Sequence, residues 1–231
     1  MLIDPHVHSS GISLCSRMTT EELIDMKIKQ GYGGAMLTNH CQPHYPSVKD
    51  PKKWAEDFIA EYERGKEYAD KFGFRFFLGI EVTLLEPAYA DYLLYGVTPD
   101  FLRKTACLVG KSQRELYGIC KDNGVFLVQA HPTRDGQTPK DPRFLDGIEI
   151  NCTERDYAKK DEVIQYALKH KLTLTCGSDT HYPEAAKRLG GMIVPDDLKD
   201  AVEFAKYLRT CDETILYLTE GIKEFKNGGK A

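Results

Sequence analysis

Short apolar runs alternate with longer amphipathic segments along most of this chain, and this alternation limits the fold more than any other feature. The apolar runs, predicted as strands, lie at residues 2–5, 34–38, 75–82, 92–97, 125–130, 147–150 and 172–176. Strands that are apolar on both faces and separated by helices are typical of parallel βα units. About seven such units in a chain of 231 residues predict a single-domain α/β barrel.

Helices are predicted between these strands and after the last of them. They lie at residues 19–31, 51–72, 112–122, 161–170, 195–209 and 212–219. The first begins with Thr19 and Thr20 followed by two glutamates, which is a typical helix start. The domain is expected to span residues 1–225, and residues 226–231 are expected to form a flexible tail.

An open doubly wound sheet is the main alternative to a barrel. Such a sheet usually carries a glycine-rich phosphate loop after its first strand. In this chain the segment His6-Val7-His8 occupies that position, which favours the barrel.

The net charge and the hydropathy of the chain indicate whether nucleic acid or a membrane is expected as a partner. The net charge of −4 and the pI near 6.0 argue against a broad basic surface and disfavour a nucleic-acid polymer as partner. No run of about 18 apolar residues occurs, so no membrane span is expected. The first residues also lack the layout of a signal peptide, and we therefore expect a cytoplasmic protein.

The seven cysteines do not suggest a disulfide framework. Their number is odd and no CxxC pair occurs. We expect most of them to be small buried residues. Cys15 and Cys41 are exceptions to consider, because each lies near histidines.

Most of the seven histidines fall at or just beyond the C-terminal end of a predicted strand. Together with two carboxylates at strand ends they form the set His6, His8, His40, Glu81, His131, Asp179 and His181. Residues i and i+2 of a strand point to the same side, so His6 and His8 are expected to project together. The C-terminal ends of barrel strands meet at one mouth. We therefore predict a centre of two to three divalent ions, either Zn, Mn or Fe.

Such a centre favours one kind of reaction. Two or three divalent ions carry about +4 to +6, which Glu81 and Asp179 offset only in part. The surplus charge attracts a phosphate and turns a bridging water into hydroxide near neutral pH. We predict hydrolysis of a phosphate ester through a metal-bridging hydroxide, with Asp179, Glu81 and His181 as catalytic residues.

Several basic residues near the motifs are candidates for binding the phosphate. Arg17 and Arg134 lie just beyond motif residues, where paired donors of arginine suit a phosphate, although either could equally lie on the surface. His44 lies four residues after His40 and is expected to face the substrate or to support metal binding. Lys187 and Arg188 are weaker candidates. The expected substrate is a small phosphate monoester or a nucleotide-type phosphoester.

Six short motifs together resemble the PHP family, the polymerase and histidinol phosphatase domain. They are Asp4-Pro5-His6-Val7-His8-Ser9, Asn39-His40, Gly79-Ile80-Glu81, Ala130-His131-Pro132, Gly147-Ile148-Glu149-Ile150-Asn151 and Gly177-Ser178-Asp179-Thr180-His181. They occur in the family's order and span residues 4–181. The resemblance implies a distorted (β/α)7 TIM-like barrel and a histidinol-phosphatase-like, metal-dependent hydrolase with up to three metals.

The resemblance also implies a ligand set. The first ion would be held by His6, His8, Glu81 and Asp179. Glu81 would bridge to a second ion, which also binds His131. His40 and His181 would hold a third ion.

Three positions depart from the family pattern. Asn39 stands where the family often has Asp, which weakens a supporting acid there. Residues 9–16 contain no His or Asp to complete the third site. Cys15 is expected to replace that ligand, because a thiolate binds zinc or iron well. Residues 95–98 offer no histidine to the second ion, which leaves that site weak or open to substrate or water.

Two alternative functions are kept beside the phosphoesterase. Amidohydrolase-like enzymes, which cleave C–N or C–O bonds, also begin with an HxH motif, but often use a bridging lysine where this chain has Glu81. The incomplete second and third sites also fit a degenerate PHP domain that acts as a binding or regulatory module.

Overall fold

The computed structural model describes residues 1–85, 88–105, 108–184 and 189–227. Its strands are β1 (Leu2–Val7), β2 (Gly34–Leu37), β3 (His40–Cys41), β4 (Arg75–Leu84), β5 (Ala90–Tyr95), β6 (Phe126–Gln129), β7 (Gly147–Asn151), β8 (Thr173–Gly177), β9 (Gly191–Ile193), β10 (Glu213–Leu218) and β11 (Gly221–Lys226). Its α-helices are α1 (Thr20–Lys29), α2 (Pro51–Asp70), α3 (Pro99–Thr105), α4 (Gln113–Asp122), α5 (Glu154–Tyr157), α6 (Lys160–His170) and α7 (Ala201–Thr210).

The strands form one sheet that is nearly closed into a barrel. Its order is β11-β10-β9-β1-β2-β4-β5-β6-β7-β8, with β3 paired to β4. The end strand β8 meets β1 through a bridge between Val7 and Thr180. We refer to this β1–β8 junction as the seam. The predicted α/β barrel is thereby confirmed.

Burial and capping explain why the central elements form. Strand β4 is buried at every position after Arg75, as expected for a strand covered on both faces. Helix α1 begins with a capping box in which Thr19 and Glu22 each bond the other's backbone N–H. Helix α4 begins in the same way with Ser112 and Glu115.

The prediction of uniformly parallel units is wrong at β5. This strand pairs antiparallel with both β4 and β6. The reason is the length of the connection, since β4 ends at Leu84 and β5 begins at Ala90. A parallel crossover needs a dozen or more residues, so this short link makes a hairpin. The N-terminal end of β5 therefore lies at the mouth of the barrel.

The helix predicted at residues 212–219 is also wrong. Residues Glu213–Leu218 form strand β10, which pairs antiparallel with β9 and with β11. Burial alternates along it, with Thr214, Leu216 and Leu218 turned inward. The period of two and the β-branched residues are strand signals that override a helical reading.

Strand β11 and Asn227 form the end of the described part of the chain. Strand β11 runs to Lys226, and Asn227 donates from its side-chain amide to the carbonyl of Cys211. Residues 228–231, the greater part of the predicted tail, and Cys107 lie outside the described residues. The six described cysteines are free thiols. Within the described ranges no helix has the length and apolar composition needed to cross a membrane.

Candidate metal centre

Side chains from both sides of the seam converge to form the first of three ligand groups at the mouth. His6 and His8 come from the end of β1, Glu81 comes from β4, and Asp179 follows β8. All four side chains are buried, with at most 4% of the surface of any one exposed. The expectation that these residues lie together agrees with their positions, because parallel strands present their C-terminal ends at one edge.

The distances within this first group suit a single ion. A tetrahedral metal with bonds of about 2.0–2.1 Å keeps its donor atoms about 3.3–3.4 Å apart. His6 Nε2 and His8 Nε2 lie 3.0 Å apart, and they are 3.4 Å and 3.2 Å from Glu81 Oε2. Asp179 Oδ1 lies 3.4 Å from His6 Nε2 and 3.3 Å from His8 Nε2. The four donors therefore enclose a space that one ion would fill.

A second group shares Glu81 and includes a residue that the sequence analysis missed. His131 Nε2 lies 2.8 Å from Glu81 Oε1 and 3.9 Å from Asp91 Oδ2. The family pattern predicts this ligand at residues 95–98, after β5. Because β5 runs antiparallel, its N-terminal residue Asp91 reaches the mouth instead. The available signal was an acid inside an otherwise apolar strand, which needs a partner when buried.

The third group lies farther out and consists of His8, His40 and His181. The ring of His8 stacks against those of His40 and His181, with centroids 4.4 Å and 4.2 Å apart. Cys15 lies beside this group and also accepts a hydrogen bond from Tyr45 Oη at 3.2 Å. Burial raises the pKa of the Cys15 thiol, but hydrogen bonds with His181 and His40 outweigh this and lower it to about 6. A thiol of this kind is readily ionised and suited to binding a metal.

Unpaired buried atoms give a further indication that a cation fits this centre. Among the described residues, Glu81 Oε2, Asp179 Oδ1 and His40 Nδ1 are buried without a hydrogen-bond partner. Burial opposes ionisation of Glu81, but His40 and His6 hold its pKa well below the ordinary value. The pKa of Asp179 is lowered in the same way, chiefly by His6 against the effect of burial. Ionised carboxylate oxygens that lie 3.0–3.4 Å from imidazole nitrogens without a hydrogen bond are typical of ligands arranged around a cation.

Residues behind the ligands hold the imidazoles of β1 in place. His6 Nδ1 lies 2.7 Å from Glu149 Oε1, and the other oxygen of Glu149 accepts from the backbone N–H of His131 at 3.0 Å. His8 Nδ1 lies 3.3 Å from Ser13 Oγ, which donates to Asn39 Oδ1 at 2.8 Å. Partners of this kind fix the orientation of metal-binding histidines. Asn39 thus supports His8 through Ser13, although it lacks the acid that the family often has.

The predicted phosphate-binding residues occupy different surroundings. Arg134 Nη2 lies 2.7 Å from Asp179 Oδ2, and its Nε donates to Asp156 Oδ2 at 2.8 Å. Arg17 is exposed, and its guanidinium carbon lies 5.1 Å from the centroid of the Tyr182 ring. His44 is exposed in a turn, and the contacts of the described residues do not join it to the ligand groups. Among the described candidates, Arg134 alone places its side chain against a candidate ligand, whereas Arg17 meets His181 through its backbone N–H, which donates to the His181 carbonyl at 3.0 Å.

An open cleft of about 750 Å³ gives access to the outer part of the centre. The cleft is lined by Cys15, Arg134, Thr153, Glu154, Arg155, Ala158, Asp179, His181 and Tyr182. Lys187 and Arg188, the weaker phosphate candidates, lie outside the described residues. The cleft has a volume typical of sites for small molecules.

Comparison with known proteins identifies the fold. No protein-family model matches the sequence, and no curated protein matches it. A two-domain protein from Bacteroides vulgatus ATCC 8482, containing a predicted PHP-like metal-dependent phosphoesterase, matches with a TM-score of 0.69 at 22% identity. The match covers 96% of this chain and 66% of that protein. The resemblance to PHP proteins is thereby confirmed at the level of the fold.

Other proteins with this fold have different activities. An amidohydrolase from Chromobacterium violaceum, solved with sulfate and without metal, matches with a TM-score of 0.59 at 16% identity, over 89% of this chain and 96% of that protein. Endonuclease Q, in complex with a 27-mer duplex carrying an abasic lesion at the active site, matches with a TM-score of 0.57 at 15% identity. That match covers 90% of this chain and 57% of that protein. A second match is the lesion-specific Endonuclease Q from Pyrococcus furiosus. A shared fold does not define the reaction, which has to be argued from the site.

The prediction that a nucleic-acid polymer is disfavoured as a partner is wrong. Endonuclease Q shares the fold over most of this chain and acts on duplex DNA. The prediction used the net charge of the whole chain, −4, as a guide to one small region. Arg17, Arg134 and Arg155 lie near the cleft, and bound ions would add further positive charge there.

Proposed function

We propose that this protein is a metal-dependent phosphoesterase that hydrolyses a small phosphate monoester. The observation that carries the proposal is the position of Glu81, whose two oxygens face different ligand groups. Its Oε2 lies 3.2 Å from His8 Nε2 in the first group, and its Oε1 lies 2.8 Å from His131 Nε2 in the second. One buried carboxylate would therefore keep two ions adjacent, an arrangement suited to phosphoryl transfer.

The residues have separate roles in the proposed reaction. Divalent ions held by the three groups would supply Lewis-acid activation of water and of the phosphate oxygens. Asp179 connects the metal centre to Arg134, whose guanidinium would bind and orient the phosphate at the edge of the cleft. His181 is 13% exposed and lies on the cleft wall, so its imidazole would face the entering substrate.

The size of the cleft supports a small substrate. Its volume of about 750 Å³ falls within the range of sites that enclose one small molecule. Arg134 and Arg155 on its walls offer guanidinium donors, but both pair with aspartates, so the attraction for an anionic group would come mainly from bound ions. A phosphodiester in duplex DNA is the second candidate, because the fold of Endonuclease Q matches 90% of this chain.

A substrate screen with matched variants tests the proposal. Phosphate release from a panel of phosphorylated metabolites would be measured with Mn²⁺, Zn²⁺ or Fe²⁺, before and after treatment with a chelator. A duplex with an abasic site, an amide and a lactone would be assayed in parallel. We expect release that the chelator abolishes and added metal restores, and that His6→Ala removes. His170→Ala is the matched control, because His170 lies at the end of α6 against Tyr166 and away from the mouth.

The other outcomes separate the alternatives. Cleavage of the duplex alone would establish the second candidate, and turnover of the amide or lactone alone would establish an amidohydrolase-like enzyme. Tight binding of at most one ion per chain, without turnover of any substrate, would favour a degenerate regulatory domain. Full turnover by purified His6→Ala would refute the metal-dependent reaction.

A further inference from the structure

A buried ammonium group lies at the seam, directly behind the first ligand group. Lys27 on α1 has no exposed surface, and it is the only buried lysine among the described residues. Its Nζ donates to Asp4 Oδ2 at 2.6 Å, to Ser178 Oγ at 3.1 Å and to Thr180 Oγ1 at 3.1 Å. The ring of Tyr32 covers it at 4.9 Å. Burying a lysine costs free energy unless its charge is paired and its N–H groups are bonded. Lys27 meets both conditions through three acceptors, one of which is the Asp4 carboxylate.

The seam lacks a regular ladder, and it is also the place where the first group is assembled. β1 and β8 share no ladder, and they meet through a few backbone bonds near the ligands. The N–H of Asp179 donates to the carbonyl of His6 at 2.9 Å, and the N–H of His8 donates to the carbonyl of Thr180 at 3.0 Å. The distance from the two histidines to Asp179 is therefore set by how the seam closes.

Asp4 and Lys27 form the side-chain part of this closure. Asp4 Oδ1 accepts from the N–H of His6 at 3.2 Å on one side of the seam and from the N–H of Ser178 at 3.1 Å on the other. Lys27 neutralises this carboxylate and bonds two hydroxyls of the β8 side. Asp179, between those hydroxyls, has a left-handed backbone with φ of 53°, which a non-glycine residue adopts only when its surroundings enforce it.

We propose that Lys27 is a positioning residue for the metal centre. Through Asp4, Ser178 and Thr180 it fixes the spacing across the seam between the histidines of β1 and the carboxylate of Asp179. It contacts neither the ligand atoms of the first group nor the cleft. The proposal rests on the metal-binding part of the proposed function and is independent of which ester is hydrolysed.

Binding of Mn²⁺ to the metal-free protein tests this role, with free Mn²⁺ measured by electron paramagnetic resonance. Lys27→Met should weaken the tightest site at least tenfold, since loss of a partner behind a ligand typically costs about 10- to 100-fold in metal affinity. It should also lower the melting temperature, because the Asp4 carboxylate is left buried without a counter-charge. Lys27→Met with Asp4→Asn removes that unpaired charge while keeping an acceptor for both N–H groups. We expect this double variant to recover most of the melting temperature and to remain at least tenfold weaker in Mn²⁺ binding.

A control variant separates positioning from stability. Leu208 is buried on α7, which packs against β4, β5 and β6 away from the seam. Leu208→Ala should lower the melting temperature and leave the Mn²⁺ affinity within about twofold of the original, because additive effects are expected for distant sites. If Lys27→Met does not fold, the double variant carries the test.

The other outcomes would refute the positioning role of Lys27, the proposed reaction, or both, and they can be distinguished. Unchanged Mn²⁺ affinity in Lys27→Met, or recovery of affinity and melting temperature together in the double variant, would leave Lys27 as a stabilising residue only. An original protein that binds Mn²⁺ but hydrolyses no phosphate ester would refute the proposed reaction and leave the positioning role to be decided by the variants. An original protein that binds no metal would refute both.

Discussion

The inner and outer parts of the mouth differ in how firmly their ligands are held. The inner part comprises the first and second groups, in which Glu81 is wholly buried and His131 is 2% exposed. The outer part comprises Cys15, His40 and His181, and two of its members line the open cleft. The inner candidate ligands lie in a strand or within two residues of its end and several are braced from behind, whereas Cys15 lies on a loop. The difference predicts that ion affinity would be set by the inner part and that substrate would meet bound ions from the outer part.

The largest expected effect comes from removing the residue that both inner groups share. Glu81→Gln keeps the shape of the side chain but removes the charge that faces His8 and His131. Loss of several kcal/mol of charge stabilisation corresponds to about a 1,000-fold fall in phosphate release. Elemental analysis should show fewer than one tightly bound ion per chain.

A much smaller fall in phosphate release by Glu81→Gln would contradict the idea that the inner part depends on this carboxylate. If the variant kept its full metal content, the inner groups would not depend on a shared carboxylate. The circular dichroism spectrum of the variant should match that of the original protein, which controls for unfolding.

The second prediction separates the two inner groups. Asp91 belongs to the second group only, and Thr83 Oγ1 donates to its other oxygen at 2.5 Å. Asp91→Asn should remove one ion per chain, leave the first ion bound and reduce kcat by about 100-fold, since one of two cooperating ions is lost. Metal content and kcat would be measured on the same samples.

A matched variant controls for the loss of a buried carboxylate. Asp146 is also buried, and it accepts from the N–H of Leu127 away from the mouth. Asp146→Asn should retain both ions. Retention of both ions by Asp91→Asn as well would remove Asp91 from the second group.

The inner part also shows how far sequence alone leads. His6, His8 and Asp179 could be predicted, because strand ends and i, i+2 spacing place them by local rules. Asp91 could not, because its place at the mouth depends on β5 running antiparallel, which follows from the short link before it. Lys27 could not either, because its partners on the far side of the seam lie about 150 residues away in sequence and are brought near only by barrel closure. The family motifs predicted the fold, whereas the pairing of strands decides which further side chains reach the candidate metal centre.

The smallest of these effects is expected in the outer part, and it tests whether Cys15 is a ligand. Cys15→Ser replaces the sulfur by a hydroxyl of similar shape that is a poorer ligand for zinc or iron. We expect about tenfold weaker binding of the last ion to load, with the first two ions unaffected. Titration of the metal-free protein with Zn²⁺, monitored by calorimetry, would resolve the separate binding steps.

Cys211→Ser is the matched control, because Cys211 is a partly exposed free thiol that bonds Asn227 rather than histidines. If both variants bound all their ions as the original protein does, Cys15 would be a neighbour of the outer histidines and not their partner in binding. The outer part would then consist of His40 and His181 alone, and the difference between the inner and outer parts would depend on these two residues.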